Sequence, residues 1–388
     1  MAHGVDEDVF AQLVDTVDRF AKERLIPAEK RVEQEDDIPE EIVAEMKEMG
    51  LFGLSTPEEY GGIGLSVPQE ARLIETLCYA SLTFRSLIGT NVGIGAQGIV
   101  MDGTPEQKDQ WLPGIASGDI IASFALTEPD NGSDAGGIRT SARRDGNDFV
   151  INGTKRYITN AVRAGVFTVF ARTDPDKPGA DGVSAFIVPA DTPGITIAPP
   201  DKKMGQKGTK TSDVIFEDVR VPVDALLGGI EKLHMGFRTA MKVLDRGRIH
   251  VSAMAVGQSQ RMLDIATDYA LERKQFGKPI GEHQLVQGLL ADCQTELQAA
   301  RALVRSAADT FDREGKAIIE AACSKYFCTE AAGRIADRAV QIHGGAGYMV
   351  DYDIERLYRD IRLLRIYEGT SQIQQLIIAR RTLAQRAG

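Results

Sequence analysis

The spacing of apolar residues changes twice along the chain and divides it into three textures. From residue 1 to about 120, the run VFAQLVDTVDRFAKERLI places Phe10, Leu13, Val14, Val17 and Phe20 three and four apart, the period of an amphipathic helix. Further helices are predicted over 41–49 and 68–79, and PEEYGGIGLS, with Pro57 and its glycine pair, reads as a loop between them. Between 121 and 227 the period shortens. VFTVFAR, VSAFIVPA and SDVIFEDVRVP are short β-branched and aromatic runs, and Asn152-Gly153 within FVINGTKRYITN predicts a hairpin turn. From 228 onward helical spacing returns, with Val286, Leu289, Leu290, Leu297, Val304, Ala308 and Phe311 on one face of a long helix. This order predicts a mostly helical α+β chain: a helical domain over 1–120, a central β domain over 121–227, a barrel or sandwich, and a helical bundle over 228–388.

Composition narrows the function classes. At 388 residues the chain is too long for one ordinary core. A formal net charge of −11 without a Lys/Arg-rich block argues against nucleic-acid binding. No apolar run reaches the length of a membrane span, and MAHGVDEDVF resembles neither a signal peptide nor a transit sequence, so a cytoplasmic protein is expected. Cys78, Cys293, Cys323 and Cys328 form no CxxC pair and read as small apolar residues in a reducing compartment. The histidines His3, His234, His250, His283 and His343 lack metal-ligand spacing, so no metal site is expected.

Four stretches carry candidate chemistry. FALTEPDNGSD (124–134) sets Thr127, Asn131 and Ser133 around Gly132 where the helical texture gives way to the β texture. It suits contacts to a cofactor, or is a turn that only joins domains. In KRYITN (155–160), Tyr157 and Thr159 alternate and would share one strand face, either beside a flat cofactor ring or as an ordinary half-buried strand. QIHGGAGY (341–348) is a glycine-rich loop able to bring N–H groups to phosphates, without the spacing of a dinucleotide fingerprint. In IYEGTSQIQ (366–374) a lone acid, Glu368, sits among few charges. Apolar surroundings would raise its pKa and make it a base near neutral pH; otherwise it is a glutamate at a helix start, favoured by the dipole.

Together, in this order, the four stretches resemble the acyl-CoA dehydrogenase family. ALTEPDNGSDAGG and QIHGGAGYMVDYDIERLYRD, the latter running through Arg356 and Asp360, match its two signatures. LERKQFGKPIGEHQ and YEGTSQIQ look like its cofactor and catalytic segments. The resemblance implies an N-terminal helical domain, a central β-barrel domain and a C-terminal four-helix bundle, with FAD as cofactor. It places Phe124, Leu126, Thr127 and Ser133 along the flavin, Ser133 also near CoA, and Tyr157 and Thr159 beside the isoalloxazine. Many relatives carry Trp at the Tyr157 position. Arg273, Gln275, Phe276, His283, Gln284 and Gln341 through Gly344 and Gly345 match segments that hold the FAD pyrophosphate and adenine of a neighbouring subunit, which implies a homodimer or homotetramer. Thr370 and Gln372 match further cofactor contacts, and Asp245 and Arg248 match residues near CoA.

The implied reaction is α,β-dehydrogenation of an acyl-CoA to the trans-2-enoyl-CoA. Glu368 would be the base, with hydride to flavin N5, Gly369 leaving room at the thioester carbonyl, and an electron-transfer flavoprotein as acceptor. Isovaleryl-type relatives carry their base at the position of Gly247, where glycine cannot serve. Phe84-Arg85-Ser86 resembles a segment in which glutaryl-CoA dehydrogenases bind a distal carboxylate through the arginine and serine. A dicarboxylyl-CoA substrate is therefore an alternative, beside an Arg85 whose charge meets solvent or an internal Glu. An oxygen-using oxidase on the same fold would also fit these motifs, and a silent helical protein that keeps only the fold would fit the texture.

Overall fold

A computed structural model describes residues 4–177 and 179–387. His3 lies outside the described residues. The N-terminal region is helical: α1 (Glu7–Phe20), a π-helical turn (Ala21–Leu25), α2 (Ile26–Glu35), α3 (Glu40–Glu48), α4 (Val67–Leu77), α5 (Leu82–Val92), α6 (Gln97–Asp102) and α7 (Pro105–Ser117). The three-and-four spacing of α1 buries Phe10, Val14, Val17 and Phe20, while Leu13 is half-buried. Asp6 caps it by accepting from Asp8 N–H, and Ser66 and Thr104 form capping boxes at α4 and α7.

The centre is a curled seven-stranded sheet in the order β1-β4-β2-β3-β7-β6, with β5 on the other side of β4. Its strands are β1 (Ile121–Ala125), β2 (Ser141–Asp145), β3 (Asp148–Thr159), β4 (Ala164–Arg172), β5 (Val183–Pro189), β6 (Ile195–Ile197) and β7 (Thr211–Pro222). Phe149, Ile151, Phe167, Phe186, Val214 and Phe216 fill its concave side.

Two expectations for β3 are corrected. The hairpin turn is not Asn152-Gly153 but Gly146-Asn147, between the paired Asp145 and Asp148, with Gly146 left-handed at φ 66°. Asn152-Gly153 instead forms a bulge against β7. A Cβ at residue 153 would lie 2.5 Å from Thr140 Oγ1, so the glycine answers a close approach rather than a turn. The alternation through Tyr157 also breaks: a second register shift follows Lys155, and Tyr157 takes φ 58°. Buried Lys155 and Ile158 are therefore three residues apart, with Tyr157 exposed and Thr159 half-buried beside Ile158.

The C-terminal region comprises α8 (Gly236–Glu272), a small ribbon of β8 (Lys274–Gln275) and β9 (Lys278–Pro279), α9 (Gln284–Glu314), α10 (Ile318–His343), α11 (Asp353–Ile361) and α12 (Ser371–Ala387). Leu297, Val304, Ala308 and Phe311 of α9 are buried, whereas Val286, Leu289 and Leu290 are only partly covered. The polar end RRTLAQRAG continues α12 as far as Ala387. No helix among the described residues is long and apolar enough to cross a membrane.

Packing ties the three regions together. α4 shares the bundle's core, and α6 and α7 share a cluster with β1, β4, β5 and α8. Glu29 of α2 is a buried polar anchor: it pairs with Arg261 (2.5 Å) and Arg356 (2.7 Å) and accepts from Ser81 N–H (2.6 Å) at the start of α5.

Candidate active site

Glu368 lies in the loop between α11 and α12, three residues before the helix. The cap of α12 is Thr370, whose Oγ1 accepts from Ile373 N–H (3.3 Å). Glu368 is therefore not a helix-start glutamate. It has φ 50° and Gly369 φ 92°, two successive left-handed residues. The first costs roughly 1–2 kcal/mol for a side chain with a Cβ. The turn is held by Gln374, whose Nε2 donates to the carbonyls of Glu368 (3.3 Å) and Gly369 (3.0 Å), and by Lys325, whose Nζ donates to Gly369 O (2.6 Å).

The carboxylate points into the interior. Its Oε2 is closed off from solvent and has no hydrogen-bond partner among the described residues. Burial raises the Glu368 pKa, while the positive charges of Arg85, Lys325 and Arg248, in that order, oppose the rise. Opposite stands Gly247 of α8. A Cβ there would lie 2.1 Å from Glu368 Oε2 and 3.4 Å from the side chain of Ile94. Glycine at 247 therefore does more than lack a carboxylate; it provides the space that Glu368 occupies.

Arg85, buried on α5, meets no carboxylate directly. Its Nη2 lies 3.3 Å from His250 Nδ1, and His250 Nε2 lies 2.9 Å from Glu70 Oε2. Since arginine can only donate, His250 carries its proton on Nε2 and passes the charge relation to Glu70, which also pairs with Arg246. This is the internal-glutamate outcome for Arg85, reached through a histidine. Ser86 turns elsewhere: its hydroxyl donates to Gln206 Oε1 (3.1 Å). Arg85 and Ser86 thus turn to separate internal partners, His250 and Gln206. Arg248 pairs with Asp245 (2.5 Å) on the same face of α8.

The end of β3 joins this group. Asn160 Nδ2 donates to Ser86 O, Leu87 O (2.9 Å) and Thr90 Oγ1 (2.8 Å), and Thr159 O accepts from Ser123 Oγ (2.8 Å) beside Phe124. Phe124, Thr159, Arg85, Arg248, Glu368 and Gly369 thus stand on elements that pack together. Leu126 is buried, and Thr127 O accepts from Arg156 N–H (2.8 Å). The following loop is fastened by the buried pair Lys155–Glu128 (2.8 Å), with Glu128 also accepting from the N–H groups of Arg139 and Thr140. Ser133 is exposed, Asn131 Oδ1 is buried without a partner, and a Cβ on Gly132 would meet nothing within 4 Å. Tyr157 is 61% exposed, its ring beneath the Arg156 guanidinium at 4.5 Å. An unpaired acceptor, an uncovered ring and open backbone fit a flat cofactor with polar substituents such as FAD.

The remaining segments lie elsewhere on the chain. Arg273 follows α8, about 37 Å along the helix from Arg248 at 1.5 Å per residue. With it go Gln275 and Phe276, which is 94% exposed, its ring edge-on to His283 at 5.9 Å, and Gln284. Gln341, Gly344 and Gly345 are exposed at the end of α10, where a Cβ on either glycine would meet nothing within 4 Å. Thr370 is half-buried and Gln372 exposed at the start of α12.

Sequence reasoning missed Lys325, Gln374, and His250 with Glu70. For Lys325 a signal was present: it falls in the buried stripe of α10, three residues after Ala322 and three before Cys328. A lone lysine on an apolar face asks for a partner.

These features define a chain with a carboxylate oxygen closed off from solvent where helical and β regions meet. The chain belongs to the acyl-CoA dehydrogenase family, an FAD-linked family of oxidoreductases acting on CH–CH groups. Family models for the N-terminal, middle and C-terminal domains of acyl-CoA dehydrogenase match residues 8–119, 123–219 and 234–383. Among similar proteins is a probable acyl-CoA dehydrogenase, YngJ, of Bacillus subtilis (strain 168), 44% identical over 95% of this chain and 96% of that one. The mitochondrial short-chain specific acyl-CoA dehydrogenase of Homo sapiens is 42% identical over 95% and 88%. The structure of butyryl-CoA dehydrogenase from Megasphaera elsdenii superposes with a TM-score of 0.92 at 34% identity, covering 98% of this chain and 99% of that one.

Proposed function

We propose that the protein converts a short acyl-CoA thioester to its trans-2-enoyl-CoA, with Glu368 removing the α-proton. The carrying observation is the buried, unpartnered Oε2 of Glu368 facing Gly247. A carboxylate so placed has a raised pKa, and its ionised form is kept available by Arg85, Lys325 and Arg248. FAD, when bound, supplies the hydride acceptor, N5. Phe124, Leu126, Thr127, Ser133, Tyr157, Thr159, Thr370 and Gln372 would hold it, and Asp245 and Arg248 would meet the CoA portion. The left-handed turn at Glu368 and Gly369 presents backbone N–H at the base, a donor for the thioester oxygen as it gains negative charge.

Arg273, Gln275, Phe276, His283, Gln284, Gln341, Gly344 and Gly345 are placed too far along α8 and α10 to serve the same flavin. We assign them to the flavin of a second copy, which makes the working form a homodimer or homotetramer. The exposed Phe276, Leu285, Tyr348 and Val350 are apolar surface that such a partner would cover. An electron-transfer flavoprotein as acceptor and a cytoplasmic location complete the reading, on the ground of the family and its bacterial members. The dicarboxylyl-CoA and oxidase readings are not favoured: Arg85 and Ser86 have separate internal partners, and the relatives named above are dehydrogenases.

The test is anaerobic mixing of FAD-loaded Glu368→Gln with butyryl-CoA. The variant is expected to stay yellow while the parent bleaches. Substantial bleaching of the variant would remove Glu368 from the role of base.

A further inference from the structure

We infer that Lys325 is the positioning residue of Glu368: from α10 it fixes the turn that carries the base and adds a positive charge that, among the described residues, no other side chain engages. The inference rests on Glu368 being the base. Lys325 is fully buried, and the only hydrogen bond of its ammonium among the described residues is the one to Gly369 O. An ammonium has three donors, so two are left without a protein partner among the described residues, as is Glu368 Oε2, whose charge acts on Lys325.

The other charges around Glu368 have partners of their own. On α5, Arg85 is engaged through His250 with Glu70, which Arg246 also holds. On α8, Arg248 pairs with Asp245, toward which Arg381 of α12 also acts. On α10 itself, Glu330 is taken by Arg365 (3.1 Å) and Ser371 (2.5 Å). Tyr367, next to the base, is half-buried and donates to Met254 Sδ (3.6 Å). Of the three cations Arg85, Arg248 and Lys325, only Lys325 has no side-chain partner among the described residues: Arg85 has His250 and Arg248 has Asp245. Its charge survives burial through the Gly369 carbonyl dipole and the field of Glu368. Burial lowers its pKa to about 8, and Glu368 is the largest influence holding it up.

Two consequences separate this from a merely structural lysine. Removing the charge raises the pH at which Glu368 ionises, because an opposite charge favouring the carboxylate is lost. Removing the donor also leaves the Gly369 carbonyl to Gln374 alone, loosening the turn without touching the thioester's CoA contacts.

The experiment compares the FAD-loaded parent with Lys325→Met and Lys325→Arg. One readout is flavin reduction by butyryl-CoA against pH in a stopped-flow instrument; the other is the infrared carboxyl band of Glu368 in substrate-free protein, identified by its loss in Glu368→Gln. Lys325→Met is expected to shift the ionisation of Glu368 upward by about one pH unit or more in both readouts. It should lower kcat at pH 7 about tenfold, with KM less changed. Lys325→Arg, which keeps the charge, should restore the parental ionisation. If Lys325→Met does not accumulate with FAD, Lys325→Gln takes its place in the same two measurements. Superimposable pH profiles for parent and neutral variant would overturn the inference. Flavin reduction by Glu368→Gln would instead overturn the base assignment and leave the infrared comparison standing.

Discussion

Gly247 and Glu368, 121 positions apart in the chain, share one space: a Cβ on residue 247 would stand 2.1 Å from Glu368 Oε2. The atom it would strike is the end of a flexible side chain, so the fold can absorb the change but the carboxylate cannot stay where it is. Gly247→Ala is therefore expected to bind FAD, melt close to the parent and lose about 10²-fold in kcat through misplacement of the base. Steady-state rates beside thermal melts check this; near-parental turnover would show that the position of Oε2 does not matter.

Glu368 also leaves a mark on stability. Its pKa is raised in the folded chain, chiefly by burial, so the folded state keeps the proton at pH values where the unfolded chain has released it. Stability contributed by this group is thus present at low pH and falls as pH rises through the interval between the unfolded and folded values. Glu368→Gln removes the penalty. The variant should melt a few degrees above the parent at pH 8 and level with it near pH 4. Equal melting temperatures at both pH values would contradict the raised pKa.

The pair Lys155–Glu128 fastens the loop that bears Thr127 and Ser133. Lys155→Met leaves a buried carboxylate with only two backbone donors, at an expected cost of about 3–5 kcal/mol. The loss should be largest above the carboxylate range and shrink as acid protonates Glu128. Urea unfolding at pH 5 and pH 8, with flavin release followed in parallel, measures both.

Glu29→Gln tests the junction of α2 with α5, α8 and α11. Among the described residues, two buried guanidiniums, Arg261 and Arg356, would be left with only Asp353 within ion-pairing distance, Asp360 acting on Arg356 from farther away. A loss of about 3–5 kcal/mol in the denaturant midpoint analysis is expected. A loss under about 1 kcal/mol, the range of exposed pairs, would show that the junction is held by apolar packing.

Much of the fold was legible because burial writes itself into spacing. The stripe Phe10, Val14, Val17, Phe20 needs no tertiary information, and the shift from three-and-four spacing to short β-branched runs marks the sheet. Asn152-Gly153 misled because the dipeptide records only that glycine is required. The requirement came from Thr140 pressing on the strand, a contact no local window contains. The same limit governs the site. Glu368 stood out as a lone acid among few charges, but Gly247 and Lys325 reach its turn, and His250 reaches Arg85, from helices remote in sequence. Arg85 and Ser86 read as a pair through the resemblance, whereas the roughly 100° between successive helix residues turns them to different neighbours.

His250 has both ring nitrogens committed, one to a guanidinium and one to a carboxylate, and burial lowers its proton affinity further. A protonated ring would force an N–H against the Arg85 donor. The histidine nearest the reaction is therefore an insulator rather than a titrator: it conducts orientation from Glu70 to Arg85 but stores no proton. On the base assignment proposed above, a rate that falls as the solution turns acidic reports carboxyl rather than imidazole, although imidazole is the group that such a limb usually suggests.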